Sequence, residues 1–182
     1  MKNETIIFAS GCFWCTEAVF QMLRGVNSVT SGYTGGEVEN PRYQEVSGGG
    51  TGHAEAIKVE FDPSVVSLQD LLAVFFSTHD PTTPNRQGHD IGPQYRSAIF
   101  YTTPEQKKMI EDYIQELTNN QTFSKPIVTE VKSAATFYPA ENYHQNYYQN
   151  NREQGYCQVI IDPKIAKLRQ QYAHLLKKDK NI

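Results

Sequence analysis

Two of the three cysteines in the chain lie three residues apart in SGCFWCT, residues 10–16, directly after the apolar run TIIFA. Cys12 and Cys15 flank Phe13 and Trp14, while Cys157 lies far along the chain in QGYCQV. The junction reads as a buried strand giving way to a helix, with Ser10 or Gly11 as the cap. A thiol there faces unpaired backbone N–H groups and the positive end of the helix dipole. Cys12 is therefore expected to have a lowered pKa and to be a nucleophile at neutral pH. Cys15, one turn on, admits three uses: a redox dithiol, half of a metal site, or a thiol beside a hydrophobic pocket. A zinc site needs a second set of ligands at regular spacing. Five scattered histidines, with no second CxxC and no HxxxH, do not supply it. An exchange dithiol has no use for a Phe-Trp wall, whereas an enzyme gripping a small apolar group does.

Other side chains could serve such a nucleophile. In HAEAIKVEF, residues 53–61, strict alternation puts His53, Glu55, Ile57, Val59 and Phe61 on one strand face. A carboxyl group sharing a face with Ile, Val and Phe loses its water, which raises its pKa and suits a general acid. The alternative is an ion pair near the strand end, with Arg42 or Arg96. Tyr33 ends one predicted strand and Tyr95 begins another, so both hydroxyls can reach a polar substrate atom or simply face water. Cys157 follows the polar tract ENYHQNYYQNN, in a segment expected to be mobile. It is either a thiol that swings toward Cys12 or a lone buried residue. The stretch 35–52 holds six glycines but neither phosphate-binding glycine pattern, and reads as a flexible loop facing substrate.

The elements that position these residues follow from periodicity. Strands are expected at 5–9, at VNSVTSGY, at 53–61, at YRSAIFYT and at IVTEVKSA. Helices are expected at TEAVFQML, after the capping box Ser67-Leu-Gln-Asp70, after Thr103-Pro104 with Met109, Ile110, Tyr113, Ile114 and Leu117 on one face, and after Asp162-Pro163. HDPTTPNRQGHDIGPQ reads as a long polar loop. Through residue 102 the order is strand–helix–strand twice over, the split βαβ arrangement of an α+β domain. A chain of 182 residues without a linker or repeat is read as one domain, residues 1–182. A net charge of −3 and a pI near 5.9 imply no nucleic-acid or anionic-membrane partner. There is no run of about 18 apolar residues and no signal-peptide core, so a cytoplasmic location is expected, where cysteines are kept for chemistry.

Six motifs then converge. GCFWC (11–15), GYTGG (32–36), GHAE (52–55), GHDIGPQYRS (88–97), AENYHQNY (140–147) and GYC (155–157) resemble, in order and spacing, the A-type peptide methionine sulfoxide reductases. The resemblance implies a ferredoxin-like α+β core with an additional strand, further helices and an irregular C-terminal segment. It implies reduction of methionine-S-sulfoxide, free or in proteins, with Cys12 attacking sulfur and Glu55 protonating the oxygen. Tyr33 and Tyr95 would bond that oxygen, Phe13 and Trp14 would enclose the methyl group, and Asp90 falls on the acidic position of the same pocket. Cys157 matches the resolving cysteine, with thioredoxin as the reductant and no metal or organic cofactor. The commoner motif is GCFWG, so Cys15 is a variant. The reading takes Cys157 as first partner of Cys12 and Cys15 as next or alternative. A general thiol–disulfide oxidoreductase using Cys12 and Cys15, and a zinc module using the three cysteines with His144, are the competing expectations.

Overall fold

The strand expected over TIIFA lies at the centre of the sheet. In the computed structural model, which describes residues 3–178, β1 (Glu4–Ser10) pairs antiparallel with both β3 (Ala54–Phe61) and β6 (Ser97–Tyr101). Beyond β3 lie β2 (Val26–Thr34) and the two-residue β8 (Tyr138–Pro139), and beyond β6 lies the parallel β7 (Glu130–Ser133). The sheet order is β7-β6-β1-β3-β2-β8, so its four central strands form the expected split βαβ core. The expected α+β class holds.

Alternation on β3 assigns the two sheet faces. Ile57, Val59 and Phe61 join Ile6 and Phe8 in the main core, under α1 (Phe13–Gln21) and α3 (Leu68–Thr78). Ser67 caps α3 through the anticipated box with Asp70. The other face carries small residues, Ala9, Ala54, Ala56 and Ala98, so the segment holding Ala134 and Phe137 can lie close against it. In α4 (Pro104–Asn119) Ile110 is fully buried, but Met109, expected on the same stripe, is exposed because it sits at the edge of the contact face. The two loops have more structure than expected. The glycine-rich stretch contains α2 (Tyr43–Ser47), and the polar stretch folds as a hairpin of β4 (Arg86–Gln87) and β5 (Asp90–Ile91).

The segment around Cys157 is helical where mobility was expected, and the helix expected after Asp162-Pro163 follows it. Cys157–Ile161 form a turn of π-helix that runs on into α6 (Asp162–Gln171), and Cys157 is completely buried. Cys157, Ile161 and Ile165 pack on Cys15 and Ala18 of α1, so apolar contact holds the segment in place. Upstream, residues 140–147 cross the molecule as a strap bonded mainly through side chains. Gln145 accepts from Ser31 N–H (3.0 Å) and donates to the carbonyls of Ser31 (2.9 Å) and Ala140 (3.0 Å). Buried Glu17 accepts from the N–H groups of Asn146 (3.0 Å) and Tyr147 (3.3 Å), where Asn146 adopts a left-handed φ of 54° and opens α5 (Tyr147–Asn150). Gln145→Ala leaves the backbone groups of Ser31 without these partners. It is expected to lower the unfolding free energy in urea by roughly 1–3 kcal/mol; no change in the midpoint would show that the strap does not stabilise the fold.

Candidate active site

Cys12 occupies the N-cap position of α1, one residue after Gly11. Gly11 has a φ of +91°, and a Cβ there would stand 2.6 Å from Cβ of Gln87, so no other residue fits the turn. The expected cap at Ser10 or Gly11 is replaced by Cys12 itself, whose side chain makes no capping bond. The group that meets this helix end is a carboxyl group instead. Phe13 N–H donates to Oε2 of Glu55 at 3.1 Å. The Cys12 thiol is consequently not the acidic one: burial, its hydrogen bond with Cys15 and the nearby Glu55 charge hold its pKa well above the usual value. The proton that leaves the thiol pair most easily belongs to Cys15, lowered to about 7 by the hydrogen bond from Cys12, with help from the Lys164 charge.

Glu55 is 2% exposed, on the core face of β3 and directly opposite Tyr33 of β2. Loss of water raises its carboxyl to about 8; Asp90 and Cys15 add to the shift and the Phe13 N–H opposes it. At neutral pH Glu55 is therefore mostly a neutral acid able to donate a proton. No ion pair joins it to Arg42 or Arg96 among the described residues; Arg96 bonds Glu130 (3.4 Å) and the carbonyls of Pro93 and Gly52.

The two expected tyrosines part company. Tyr33 is completely buried and its hydroxyl donates to Oε2 of Glu141 (2.8 Å), so its single proton is already held inside the protein. Tyr95, half-buried after the β4–β5 hairpin, has its hydroxyl pKa pushed up by burial and by the charges of Glu55, Tyr43 and Asp90. Tyr43, which the sequence reading missed, is its counterpart. It opens α2, is half-buried, and is pushed up to about 12 by burial and by Glu55 and Cys12. Its backbone N–H is tied to Oε1 of Glu141 (2.9 Å), which anchors the glycine-rich loop to the strap. The usable signal was its place between two glycine clusters, in a loop already read as facing substrate.

Aromatic side chains wall the site. Phe13 is 1% exposed and lies beneath, 5.8 Å from the Tyr33 ring. Trp14 is half-buried, stacked on Tyr147 with centroids 3.7 Å apart, and meets Tyr156 edge-on at 5.8 Å. Tyr156 donates its hydroxyl to Oδ2 of Asp90 (3.1 Å) and lies 3.6 Å from Sγ of Cys15. Beside them a cavity of about 330 Å³ is lined by Cys12, Cys15, Asp90, Tyr156, Ile160 and Lys164, among others. The three free thiols thus share one apolar cluster, with Cys12 and Cys15 hydrogen-bonded to each other. His144, the fourth ligand of the zinc reading, is turned to Trp14 instead. No group of three or more His, Cys, Asp or Glu side chains is placed to hold a metal among the described residues.

Comparison with known proteins decides what this arrangement belongs to. The family model described as peptide methionine sulfoxide reductase matches residues 4–176. The chain belongs to the peptide methionine sulfoxide reductase family. It is 59% identical over 175 residues to the peptide methionine sulfoxide reductase of Deinococcus radiodurans, covering 96% of this chain and 85% of that protein. Among solved structures it is similar to Mxr1 from Saccharomyces cerevisiae in reduced form, with a TM-score of 0.79 and 34% identity over 86% of this chain and 90% of that one. Mxr1 has also been solved in complex with Trx2, matched at a TM-score of 0.56 and 25% identity over 80% of this chain and 85% of that one. The reductase is thus an oxidoreductase acting on methionine sulfoxide. No described helix is long and apolar enough to cross a membrane.

Glu55 in the reductase makes stability depend on pH. Its pKa is raised from 4.5 to about 8 by folding, so its contribution is complete below about pH 4.5 and is lost as pH rises through about 8. Across that window the urea stability of the unmodified protein is expected to fall relative to Glu55→Gln. Parallel pH curves for the two proteins would contradict the buried neutral carboxyl.

Proposed function

We propose that the protein reduces methionine-S-sulfoxide, free or in proteins, through a sulfenic acid on Cys12 that neighbouring thiols resolve and thioredoxin finally reduces. The observation that carries this reading is the neutral Glu55 carboxyl at the same helix end as Cys12. As the Cys12 sulfur attacks the sulfoxide sulfur, the oxygen gathers negative charge and needs a proton. Glu55 supplies it, while Tyr43 and Tyr95 donate hydrogen bonds to the same oxygen; Tyr43 takes the role first expected of Tyr33. The methyl group packs against Trp14 over Phe13, and Asp90 borders the pocket through Tyr156. The substrate S–O bond then breaks as the oxygen passes to the Cys12 sulfur and the transient sulfur–sulfur bond is released. The Cys12 thiol proton returns to Glu55, methionine leaves as the thioether, and Cys12 is left as Cys–SOH.

Resolution follows contact. Cys15 N–H bonds the Cys12 carbonyl (3.2 Å) in a tight turn, which keeps the two residues within a disulfide's reach. The Cys15 sulfur attacks the Cys12 sulfenic sulfur, forming the Cys12–Cys15 disulfide, and the displaced hydroxyl takes up the proton that Cys15 gives up and leaves as water. Cys157, in the same apolar cluster as Cys15, then attacks the Cys15 sulfur, giving Cys15–Cys157 and restoring the Cys12 thiol. This order replaces the expectation that Cys157 acts first, which rested on a mobile tail. A dithiol protein of the thioredoxin class reduces the last disulfide; the solved complex of Mxr1 with Trx2 supports such a partner. The cycle uses no metal or organic cofactor, and free thiols of this kind suit the cytoplasm. A plain thiol–disulfide oxidoreductase would leave the buried carboxyl and the aromatic wall without a task.

Cys12→Ser is expected to abolish reduction of methyl sulfoxides, and Glu55→Gln to slow single-turnover reduction by about a hundredfold or more while the protein stays folded. Cys15→Ser should accumulate a dimedone-reactive sulfenic acid when sulfoxide is added without reductant. Cys157→Ser should form the first disulfide at the normal rate and lose turnover with thioredoxin. If sulfenic acid accumulated in Cys157→Ser and not in Cys15→Ser, the order would be reversed.

A further inference from the structure

Trp14 is the only tryptophan in the chain, and its orientation is set by a residue to which the mechanism above gives no part. One face of the indole lies on Tyr147, which leaves the ring free to slide or turn within its plane. The contact that removes this freedom is the hydrogen bond from Nε1 of Trp14 to Nδ1 of His144, at 3.0 Å. We infer that His144 is the positioning residue of the methyl pocket, held as the neutral Nε2–H imidazole whose Nδ1 accepts the Trp14 indole and fixes the wall against which the S-methyl group packs. The inference rests on the proposed reading of that pocket.

The tautomer follows from the donor. An indole N–H can only donate, so Nδ1 of His144 must carry a lone pair and the ring proton must be on Nε2. Nε2 is buried, with no hydrogen-bond partner among the described residues; the nearest carboxylate oxygen, Oε2 of Glu141, is 4.0 Å away and already accepts from Tyr33. A buried N–H without a partner destabilises the fold, so its retention calls for a reason in function. The surroundings supply one. The imidazole is 1% exposed, 5.1 Å from the Phe13 ring and 4.5 Å from the Tyr43 ring, so one side chain touches the pocket floor, its wall and a tyrosine facing the sulfoxide oxygen. The strap holds His144 in turn, through Gln145 on one side and the Glu141 carboxylate on the other. Protonation would put N–H against N–H at the indole, and burial resists it by lowering the His144 pKa.

The test reads Trp14 and the reaction separately. His144→Phe keeps the ring volume and removes the acceptor; His144→Asn returns an acceptor near the Nδ1 position. His144→Phe is expected to shift the Trp14 emission maximum, raise its acrylamide quenching, and raise KM for methyl p-tolyl sulfoxide by about tenfold, as fits the loss of one buried hydrogen bond. Its preference for the methyl over the ethyl sulfoxide should shrink, kcat should change less than KM, and His144→Asn should recover part of each loss. Wild-type emission and KM in His144→Phe, or no recovery in His144→Asn, would overturn the inference. Should His144→Phe fail to fold, 15N spectra of histidine-labelled unmodified protein decide alone: a proton on Nε2 of His144 supports it, and a proton on Nδ1 refutes it. If the unmodified protein did not reduce methyl sulfoxides, the pocket reading would fail, while the emission and the tautomer would still report on the contact itself.

Discussion

Glu55 is kept out of water at the point where the first turn of α1 meets β2 and β3, and the rest of the site is arranged around that fact. A carboxyl group in this position meets two opposing influences. Burial favours the neutral acid, while the Phe13 N–H at the helix end favours the anion. Burial is the larger of the two, so the group keeps its proton up to about pH 8. The same geometry decides the thiols. With the helix end facing a carboxyl group, Cys12 gains no dipole stabilisation to match its loss of solvent, and the easily ionised sulfur becomes Cys15. The nucleophile and acid of the proposed reaction are thus held in their protonated forms next to each other. That pairing suits a reaction in which attack and proton delivery fall on adjacent atoms of one bond.

Holding this arrangement falls to a strap that barely uses the sheet. Before it, β8 contributes two residues of ladder, Ala140 N–H bonds the Ser31 carbonyl, and the rest of 140–147 is held mainly by Glu17, Gln145 and Glu141 reaching backbone or hydroxyl groups. Side-chain amides and carboxylates can satisfy buried backbone groups as well as another strand would. They also leave His144 and Tyr147 of the strap turned inward, and these, with Tyr156 from the C-terminal segment, enclose Trp14 from three directions.

Where one principle governed, the sequence could be read directly. The alternation in 53–61 and the capping box at Ser67 each depend on a local rule, and each stands in the fold as expected. The departures arise where tertiary packing overrides composition. The tract around Cys157 is polar enough to suggest mobility, yet Cys157, Ile161 and Ile165 recur on one side and bury that side on α1. Tyr33 and Tyr43 are both tyrosines beside glycines. Only the fold shows that the carboxylate of Glu141 accepts the Tyr33 hydroxyl proton while Tyr43 lies toward Glu55. The Cys12 pKa was misjudged for a similar reason. The helix-end rule is sound, but nothing in the linear sequence places Glu55, forty-three residues on, at that same end.

Crowding three sulfurs into one cluster, with Cys12 alone reaching the surface to any extent, has a consequence for the lifetime of the protein. A sulfenic acid left waiting is open to further oxidants and passes to sulfinic and sulfonic acids, which thiols do not reverse. Here the next sulfur lies one turn away, and a third is already packed behind it. On the proposed cycle, each oxidising equivalent would be drawn inward, away from solvent, as soon as it arrives. An enzyme working by that cycle would thereby guard its own active thiol against permanent damage.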